Sequence, residues 1–288
     1  RRHQFEEKMN RFLFVFTGLI ISLTAQDDML ELIDDGTINP VPVQATFKAT
    51  RIVNSQSIEL TRPKTLEFMI LHRFGSMNNG FYDLFGMDEA AIRFDLKYGI
   101  NDRISLGAGR SSLNKTYDIF TKLKILKQTS GGSSFPFSLA LFSKIEISTI
   151  DQNLPMNDQL TFDIQVLAAR KFNPSISIQV MPTFIHRNLV QTAEESNDLL
   201  SFGIGGRVKV TRRVSINADT FFPLGERDES FKQSWGLGCD IETGGHVFQL
   251  MITNVQGSFE SEYIENATGT FDELNLFLGF NITRVFSL

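Results

Sequence analysis

The chain has 288 residues, 42% of them hydrophobic and 21% charged, so it can form a large folded domain and is not intrinsically disordered. Its 33 acidic and 28 basic residues give a formal net charge of −5 without a basic cluster, which excludes a nucleic-acid-binding protein. Cys239 is the only cysteine, which excludes an intramolecular disulfide and a cysteine-based metal cluster. The sequence predicts no metal and no other cofactor.

The first predicted element is an export signal. Arg11 precedes an apolar run over residues 12–23, and Ala25 follows it. The run is too short for a membrane-spanning helix and is typical of a secretory signal peptide, which we expect to be cleaved near Ala25. Residues 1–8 are interpreted as upstream translation before a start at Met9. No later apolar run reaches about eighteen residues, so we expect any membrane contact to be made by strands.

Residues 26–64 are predicted to form an N-terminal periplasmic segment ahead of the main domain, residues 65–288. Their acidic beginning, "QDDMLELIDDG", is followed by a possible hairpin about Asn54-Ser55. We interpret the segment as a solvated tail followed by an extra strand pair. The alternative is a peptide that docks a periplasmic partner through residues 26–35, or an internal plug.

The main domain is predicted to be all-β. In "EAAIRFDLKYGI" the apolar row Ile92, Phe94, Leu96 alternates with the charged row Arg93, Asp95, Lys97, which is the two-residue period of a strand. The pattern recurs to the final stretch, "LNLFLGFNITRVFSL", and gives about twelve strands of ten or more residues. An even number of long strands is typical of a transmembrane antiparallel up-and-down β-barrel.

The predicted connections alternate between short and long. Short turns are expected at 129–134, 172–175, 211–213 and 243–245, and longer loops at 75–88, 151–158, 191–198, 224–230 and 257–270. This asymmetry predicts short periplasmic turns and longer outer loops in the outer membrane of a Gram-negative bacterium. The expected partners are the membrane lipid and, through the C-terminal strand, the barrel-assembly machinery. A soluble β-sandwich or lipocalin-like barrel would alternate as well, so the alternative stays open.

If lipid contacts the apolar rows, the charged rows line the lumen. A twelve-stranded barrel lies between those filled by side chains and those with an aqueous channel, so a narrow pore and an occluded barrel are both compatible with the sequence. We expect these charges to line the lumen: Arg73, Arg93, Asp95, Lys97, Lys122, Lys124, Lys144, Glu146, Arg187, Arg207, Asp219 and Asp240.

Three histidines are predicted to lie at the barrel rims. His72 and His186 each precede an arginine at the outer end of a strand, and His246 begins a strand at the opposite end. This separation argues against a shared metal or acid–base site. No G-x-S-x-G nucleophile motif occurs, so the chain is not predicted to be an enzyme. The glycines in "GIGGRV" and "WGLGCD" lie within strands, where they are expected to relieve crowding.

A resemblance to a known family extends over most of the mature chain. It rests on the order of several segments, among them "GFYDLFGMDEAAIRFDLKYGIND", "MPTFIHRNL" and "DIETGGHVFQLMITN". They resemble a family of outer-membrane β-barrels of Bacteroidota-type bacteria, a domain of unknown function. The resemblance implies a signal peptide and a barrel, and no established activity.

Three functions are compatible with this interpretation. The first is a narrow passive channel for ions or small polar solutes. The second is a non-conducting barrel that anchors periplasmic proteins or presents the loops at 75–88 and 257–270 outside. The third and least favoured is a barrel hydrolase that uses His72 or His186.

Overall fold

The computed structural model describes residues 40–288 except 132–133, 152, 191–195, 226–231 and 244–245. The predicted signal peptide and the proposed docking peptide at residues 26–35 lie outside the described residues and stay predictions.

Twelve strands of the described chain form a closed barrel in which chain neighbours pair antiparallel, and this confirms the predicted all-β barrel. Two of them, β4 and β13, have eight residues rather than the ten expected. The strands are β2 (Thr65–Ser76), β3 (Ala90–Gly99), β4 (Ile104–Ser111), β5 (Thr116–Leu126), β7 (Ser138–Ser148), β8 (Leu160–Lys171), β9 (Ile176–Arg187), β10 (Asp198–Lys209), β11 (Val214–Leu224), β12 (Ser234–Thr243), β13 (His246–Thr253) and β14 (Phe277–Ser287).

The apolar rows face outward and the charged rows face inward. On β3, Phe94 and Leu96 are 43% and 47% exposed, whereas Arg93 and Asp95 are 0% exposed. A soluble barrel has the opposite arrangement, with apolar side chains in the core and charges in water. The alternation therefore belongs to a barrel with an apolar, lipid-facing outer surface.

The barrel closes between its first and last strands. Strand β14 pairs with β2 along its length, from Phe277 opposite Ser76 to Ser287 opposite Thr65, with one irregularity between Phe277 and Gly279. This pairing explains why the alternation continues to the end of the sequence, because an unpaired edge would leave backbone groups unsatisfied in lipid.

The connections follow the predicted asymmetry, with two differences. One is that the connection over 112–115, at the same end of the barrel as the long loops, has only four residues. Long connections over 77–89, 149–159 and 254–276 lie at what we name the long-loop end, and connections over 100–103, 172–175 and 210–213 at the short-turn end. The other is that the connection from β5 to β7 covers residues 127–137 and is longer than the predicted 129–134. Among the described residues, 40–43 and 127–137 form a separate compact unit. In this unit β1 (Val41–Pro42) pairs antiparallel with β6 (Thr129–Ser130).

The long-loop connections contain three short helical segments among the described residues. They are the 3-10 segments Met77–Asp83 and Leu113–Lys115 and the α-helix α1, Glu260–Glu265. In the described part of the chain, no helix has both the length and the apolar character needed to cross a membrane.

Candidate functional site in the barrel lumen

The chain preceding β2 folds into the barrel. Residues 44–61, named the lumen hairpin, turn back at Asn54-Ser55, where the Ile52 N–H donates to the Ser55 carbonyl over 2.9 Å. The predicted hairpin therefore exists. It is not the extra strand pair on a solvated tail that we expected, because Val53 and Ser55 are 0% exposed inside the barrel.

A single carboxylate on the barrel wall binds the turn of the lumen hairpin. Asp219 Oδ2, on β11, accepts hydrogen bonds from the N–H groups of Val53, Asn54 and Ser55 over 3.1, 2.9 and 2.8 Å, and from Ser55 Oγ over 2.7 Å. The carboxylate thus satisfies the backbone donors that a tight turn leaves unpaired. Charge-assisted hydrogen bonds of this kind are stronger than neutral ones.

Lysines bind the limbs of the lumen hairpin from β3 and β5. Lys122 Nζ donates to the carbonyl oxygens of Ser57 and Glu59 over 2.8 and 3.1 Å. Lys97 Nζ donates to Thr50 Oγ1 over 2.6 Å, and Thr50 Oγ1 donates to Glu67 Oε1 over 2.6 Å. Lys97 and Lys122, which were predicted to line the lumen, therefore contact the lumen hairpin.

Glutamines and glycines on other strands complete the site that holds the lumen hairpin. Gln179 Nε2 donates to the Gln56 carbonyl over 2.7 Å, and Gln249 Nε2 to the Ile52 carbonyl over 3.1 Å. A Cβ atom at Gly205 would lie 2.8 Å from Ile52 Cδ1, and one at Gly236 would lie 2.8 Å from Val53 Cγ1. Gly205 of "GIGGRV" and Gly236 of "WGLGCD" therefore leave space for the hairpin.

The lumen hairpin also has an apolar contact surface. Its buried apolar side chains belong to one hydrophobic cluster with apolar residues of the wall. This cluster includes Phe47, Ile52, Val53 and Ile58 of the hairpin and Phe120, Phe142, Leu167, Met181 and Phe221 of the wall. The wall is therefore partly apolar inside, which the predicted row of charges did not indicate.

Both limbs of the lumen hairpin reach the short-turn end. Near its beginning, the Gln44 carbonyl accepts from Lys171 Nζ at the end of β8 over 2.8 Å. Just after its end, the Lys64 N–H donates to the Gly99 carbonyl at the end of β3 over 2.7 Å. The segment is therefore re-entrant: it enters and leaves through one end and does not pass through the barrel.

A second segment fills the lumen from the long-loop end. Residues 254–267, named the inserted loop, contain α1 and are largely buried, with Tyr263 and Ile264 0% exposed. The expectation that the loop at 257–270 is presented outside is therefore wrong for most of its length. The physical reason is that its apolar side chains join the internal cluster while its glutamates contact cations of the wall.

Ion pairs link the inserted loop to the barrel wall. Glu260 Oε2 lies 2.5 Å from Lys144 Nζ on β7, and Glu265 pairs with Arg187 on β9. Ser261 Oγ donates to Glu146. Gln56 of the lumen hairpin donates to Glu260 Oε1 over 3.0 Å, so the two inserted segments contact each other.

The charge of Glu260 is stabilised although the side chain is buried. Burial alone raises the pKa of this carboxyl, but Lys144 and Arg51 reverse the effect and hold the pKa below its ordinary value. Glu260 is therefore an anion throughout the physiological pH range and requires its cationic partners.

The structure assigns positions to the predicted site residues, and their role in conduction stays a prediction. Lys124 and Arg187 are half-buried. The other predicted lumen charges are buried inside the barrel: Arg73, Arg93, Asp95, Lys97, Lys122, Lys144, Glu146, Arg207, Asp219 and Asp240.

The three histidines lie toward the ends of barrel strands, and their role at the membrane rims stays a prediction. His72 stacks on Phe280, with ring centroids 4.8 Å apart, and His186 Nδ1 lies 2.6 Å from Asp198 Oδ1, both toward the long-loop end. His246 begins β13 at the short-turn end. These contacts are aromatic or ionic, and a catalytic role for the histidines stays an untested hypothesis.

Three buried charged residues of the described lumen lie outside the alternating strands, so the alternation did not reveal them. Arg51 belongs to the lumen hairpin, and Glu260 and Glu265 belong to the inserted loop, so none of them lies in an alternating strand. The one available signal was the mixture of glutamates with buried-type side chains in "FESEYIE", which is unusual for a solvated loop.

The closed barrel, with its apolar outer surface and charged interior, defines a membrane-bound β-barrel of the porin-like class. Residues 47–286 match the family described as "Membrane bound beta barrel domain (DUF5777)", and the chain belongs to this family. Among curated protein sequences, none matches the chain.

Solved structures that resemble this chain include outer-membrane channels and porins. The COG4313 outer membrane channel from Pseudomonas putida F1 superposes with a TM-score of 0.51 at 12% identity, covering 83% of this chain and 100% of that one. The NanC porin gives 0.47 at 9% identity and the KdgM porin 0.47 at 6%, each covering 77% of this chain and 99% of the porin. At these identities the likeness shows the fold alone.

Proposed function

We propose that this protein is a gated outer-membrane channel for ions or small polar solutes, closed in the present state by the lumen hairpin. The observation that carries the proposal is that the hairpin is re-entrant, with Gln44 and Lys64 both at the short-turn end. A segment held in this way can leave the lumen as a unit without unfolding the barrel.

The wall behind the lumen hairpin also favours a passage. Ser177, Ser201 and Ser215 are buried, and their hydroxyl groups make no hydrogen bond with the part of the chain that the structure describes. A barrel that serves only as an anchor would be more stable with apolar groups at these positions, because an unpaired buried hydroxyl costs free energy. Water in an open lumen would satisfy these hydroxyls.

The proposal also states in which membrane the protein resides and how the channel opens. The protein resides in the outer membrane of a Gram-negative bacterium after export with a signal peptide cleaved near Ala25. The short-turn end then faces the periplasm. A periplasmic partner that binds residues 26–35 withdraws the lumen hairpin and opens the channel.

The second candidate is a non-conducting barrel, and a specific observation favours it. Two segments fill the lumen from opposite ends, and both contribute to one apolar cluster: Ile52 and Ile58 from the hairpin, Tyr263 and Ile264 from the inserted loop. In this case the interior is a permanent core, and the protein acts as an anchor for periplasmic or surface proteins.

A reversible cross-link separates the two candidates. A Cβ atom at Gly238 would lie 3.4 Å from Val53 Cγ2, so cysteines at these two positions can form a disulfide between hairpin and wall. The test uses V53C/G238C in a C239S background in planar bilayers. Oxidised protein is expected to give no conductance steps, and a reductant is expected to restore the intermittent steps of wild type.

Two further samples complete this experiment. C239S alone should conduct like wild type with and without oxidant. A chain lacking residues 1–61 should give long-lived steps, because the lumen hairpin is absent. If this shortened chain forms a heat-modifiable barrel and stays silent, the channel proposal is wrong and the non-conducting barrel is supported.

A further inference from the structure

Three buried carboxylates from different elements meet in the lumen toward its long-loop end. Glu146 lies on β7, Asp163 on β8 and Glu260 on α1, and one oxygen of each lies within 4.8 Å of the others. All three are at most 2% exposed. Ionised carboxylates at this separation repel one another unless they share a proton or a cation lies between them.

Neither carboxylate oxygen of Asp163 accepts a hydrogen bond from an N–H or hydroxyl group of the described residues, although the residue is 0% exposed. Its position on β8 is directly opposite Lys144 on β7. The ammonium group of Lys144, however, contacts Glu146 over 2.6 Å and Glu260 over 2.5 Å. A buried carboxylate without a partner is costly, so Asp163 indicates that the cluster accommodates a cationic ligand.

The charges around the cluster do not balance. When all three carboxyl groups are ionised, as they are around a bound cation, Lys144 contributes one positive charge against them, which leaves two negative charges. Extending the count along the contiguous ion pairs adds Arg51 and Arg93 but also Asp95 and Asp118, so the excess remains two. One divalent cation neutralises this excess.

We propose that Glu146, Asp163 and Glu260 bind one calcium ion. The donors are carboxylate oxygens, which hard divalent cations prefer. Calcium fits better than magnesium because it accepts six to eight oxygen ligands in flexible geometry, whereas magnesium needs near-octahedral geometry and usually retains several waters. The hydroxyl of Ser261, which contacts Glu146, supplies a further oxygen.

The ion can reach the cluster from the long-loop end. A cavity of about 290 Å³ lies there, and both Glu146 and Ser261 contribute to its lining together with Ser148, Asp158 and Thr161. Because Glu260 belongs to the inserted loop and the other two ligands belong to the wall, bound calcium fastens the loop inside the barrel. The site is therefore a calcium-dependent link between the inserted loop and the barrel wall on the long-loop side of the lumen.

The experiment is a calorimetric titration of the full chain, refolded in detergent and freed of metal with EDTA before the chelator is removed. Calcium chloride should bind with a stoichiometry of one and a dissociation constant below about 1 mM. D163N should weaken binding at least tenfold. D240N, which changes another buried lumen carboxylate that lies outside the cluster, should bind like wild type.

Thermal unfolding gives a second measurement that does not depend on the titration. Calcium should raise the Tm of wild type and leave that of D163N unchanged, and in EDTA D163N should melt above wild type because the repulsion is removed. No calcium binding by folded wild type, or equal binding by D163N, would overturn the proposal. An equal Tm shift with magnesium chloride would overturn the assignment of calcium.

Discussion

The lumen hairpin and the inserted loop fill the same barrel by different interactions. The hairpin is bound largely through its main chain: Asp219 accepts from three of its N–H groups, and Lys122 donates to its carbonyls. The loop is bound through side-chain charges, with Glu260 on Lys144 and Glu265 on Arg187. Both segments also contribute to the internal apolar cluster.

Because the two segments are held by different interactions, we expect different changes in conditions to release them. Main-chain hydrogen bonds depend on position and little on which side chains the hairpin carries. Buried ion pairs depend on the ionisation of both partners, and the loss of one partner leaves an uncompensated charge. We infer that the hairpin is released by displacement, whereas the loop is released by changes of charge.

The largest expected effect is a loss of stability when the positive charge of Lys144 is removed. In K144M, Glu146, Asp163 and Glu260 would share the lumen without Lys144, and removing one partner of a buried ion pair typically costs about 3–5 kcal/mol. Thermal unfolding in EDTA should show a large loss of stability, and hydrogen exchange should show faster exchange at 260–265. The control is K48M, which breaks the partly exposed pair with Glu242 and should cost below about 1 kcal/mol. Equal losses in both variants would contradict the assigned role.

The next effect concerns the turn of the lumen hairpin. D219A leaves the N–H groups of Val53, Asn54 and Ser55 without their acceptor, at a cost of about 1–3 kcal/mol for each buried group left unpaired. The open state should therefore become more populated by roughly 100-fold, because the low end of this range summed over the three groups is about 3 kcal/mol and each 1.4 kcal/mol is a factor of ten. Single-channel recording measures the open fraction. D219N keeps an acceptor oxygen and should change it less, and an equal change in both variants would count against the hydrogen bonds as the cause.

The smallest effect is the acid response of the inserted loop. Because the pKa of Glu260 is lower in the folded protein than its ordinary value of 4.5, its contribution to stability is complete above that pH and is lost as the pH falls through the lower folded value. Exchange protection at 260–265, corrected for the intrinsic rate, should therefore hold from pH 7 to about pH 5 and decline in stronger acid. The decline should be smaller in E260Q, and a decline that already begins at pH 6 would contradict the stabilised anion.

The barrel was predictable from the sequence because alternation with a period of two has a direct physical cause in a lipid-facing strand. On β3, exposed Phe94 lies between buried Arg93 and Asp95, so three consecutive residues distinguish the outer face from the inner face. The lumen contents were not predictable in the same way. The contact between Asn54 and Asp219 joins residues 165 positions apart, and no local pattern encodes it. The contact between Glu260 and Lys144 likewise joins residues 116 positions apart and forms only when the barrel has closed.

The re-entrant path of the lumen hairpin has a mechanical consequence. Its two limbs run side by side, with one continuing toward the N-terminus and the other tethered to β2 near Lys64. A force applied along the barrel axis ahead of residue 44 would peel the first limb from the mouth inward. The contacts of Thr50 would be loaded before those of the turn on Asp219. Successive rupture needs less peak force than simultaneous shear of all contacts, so a modest pull suffices to extract a segment that is stable at rest.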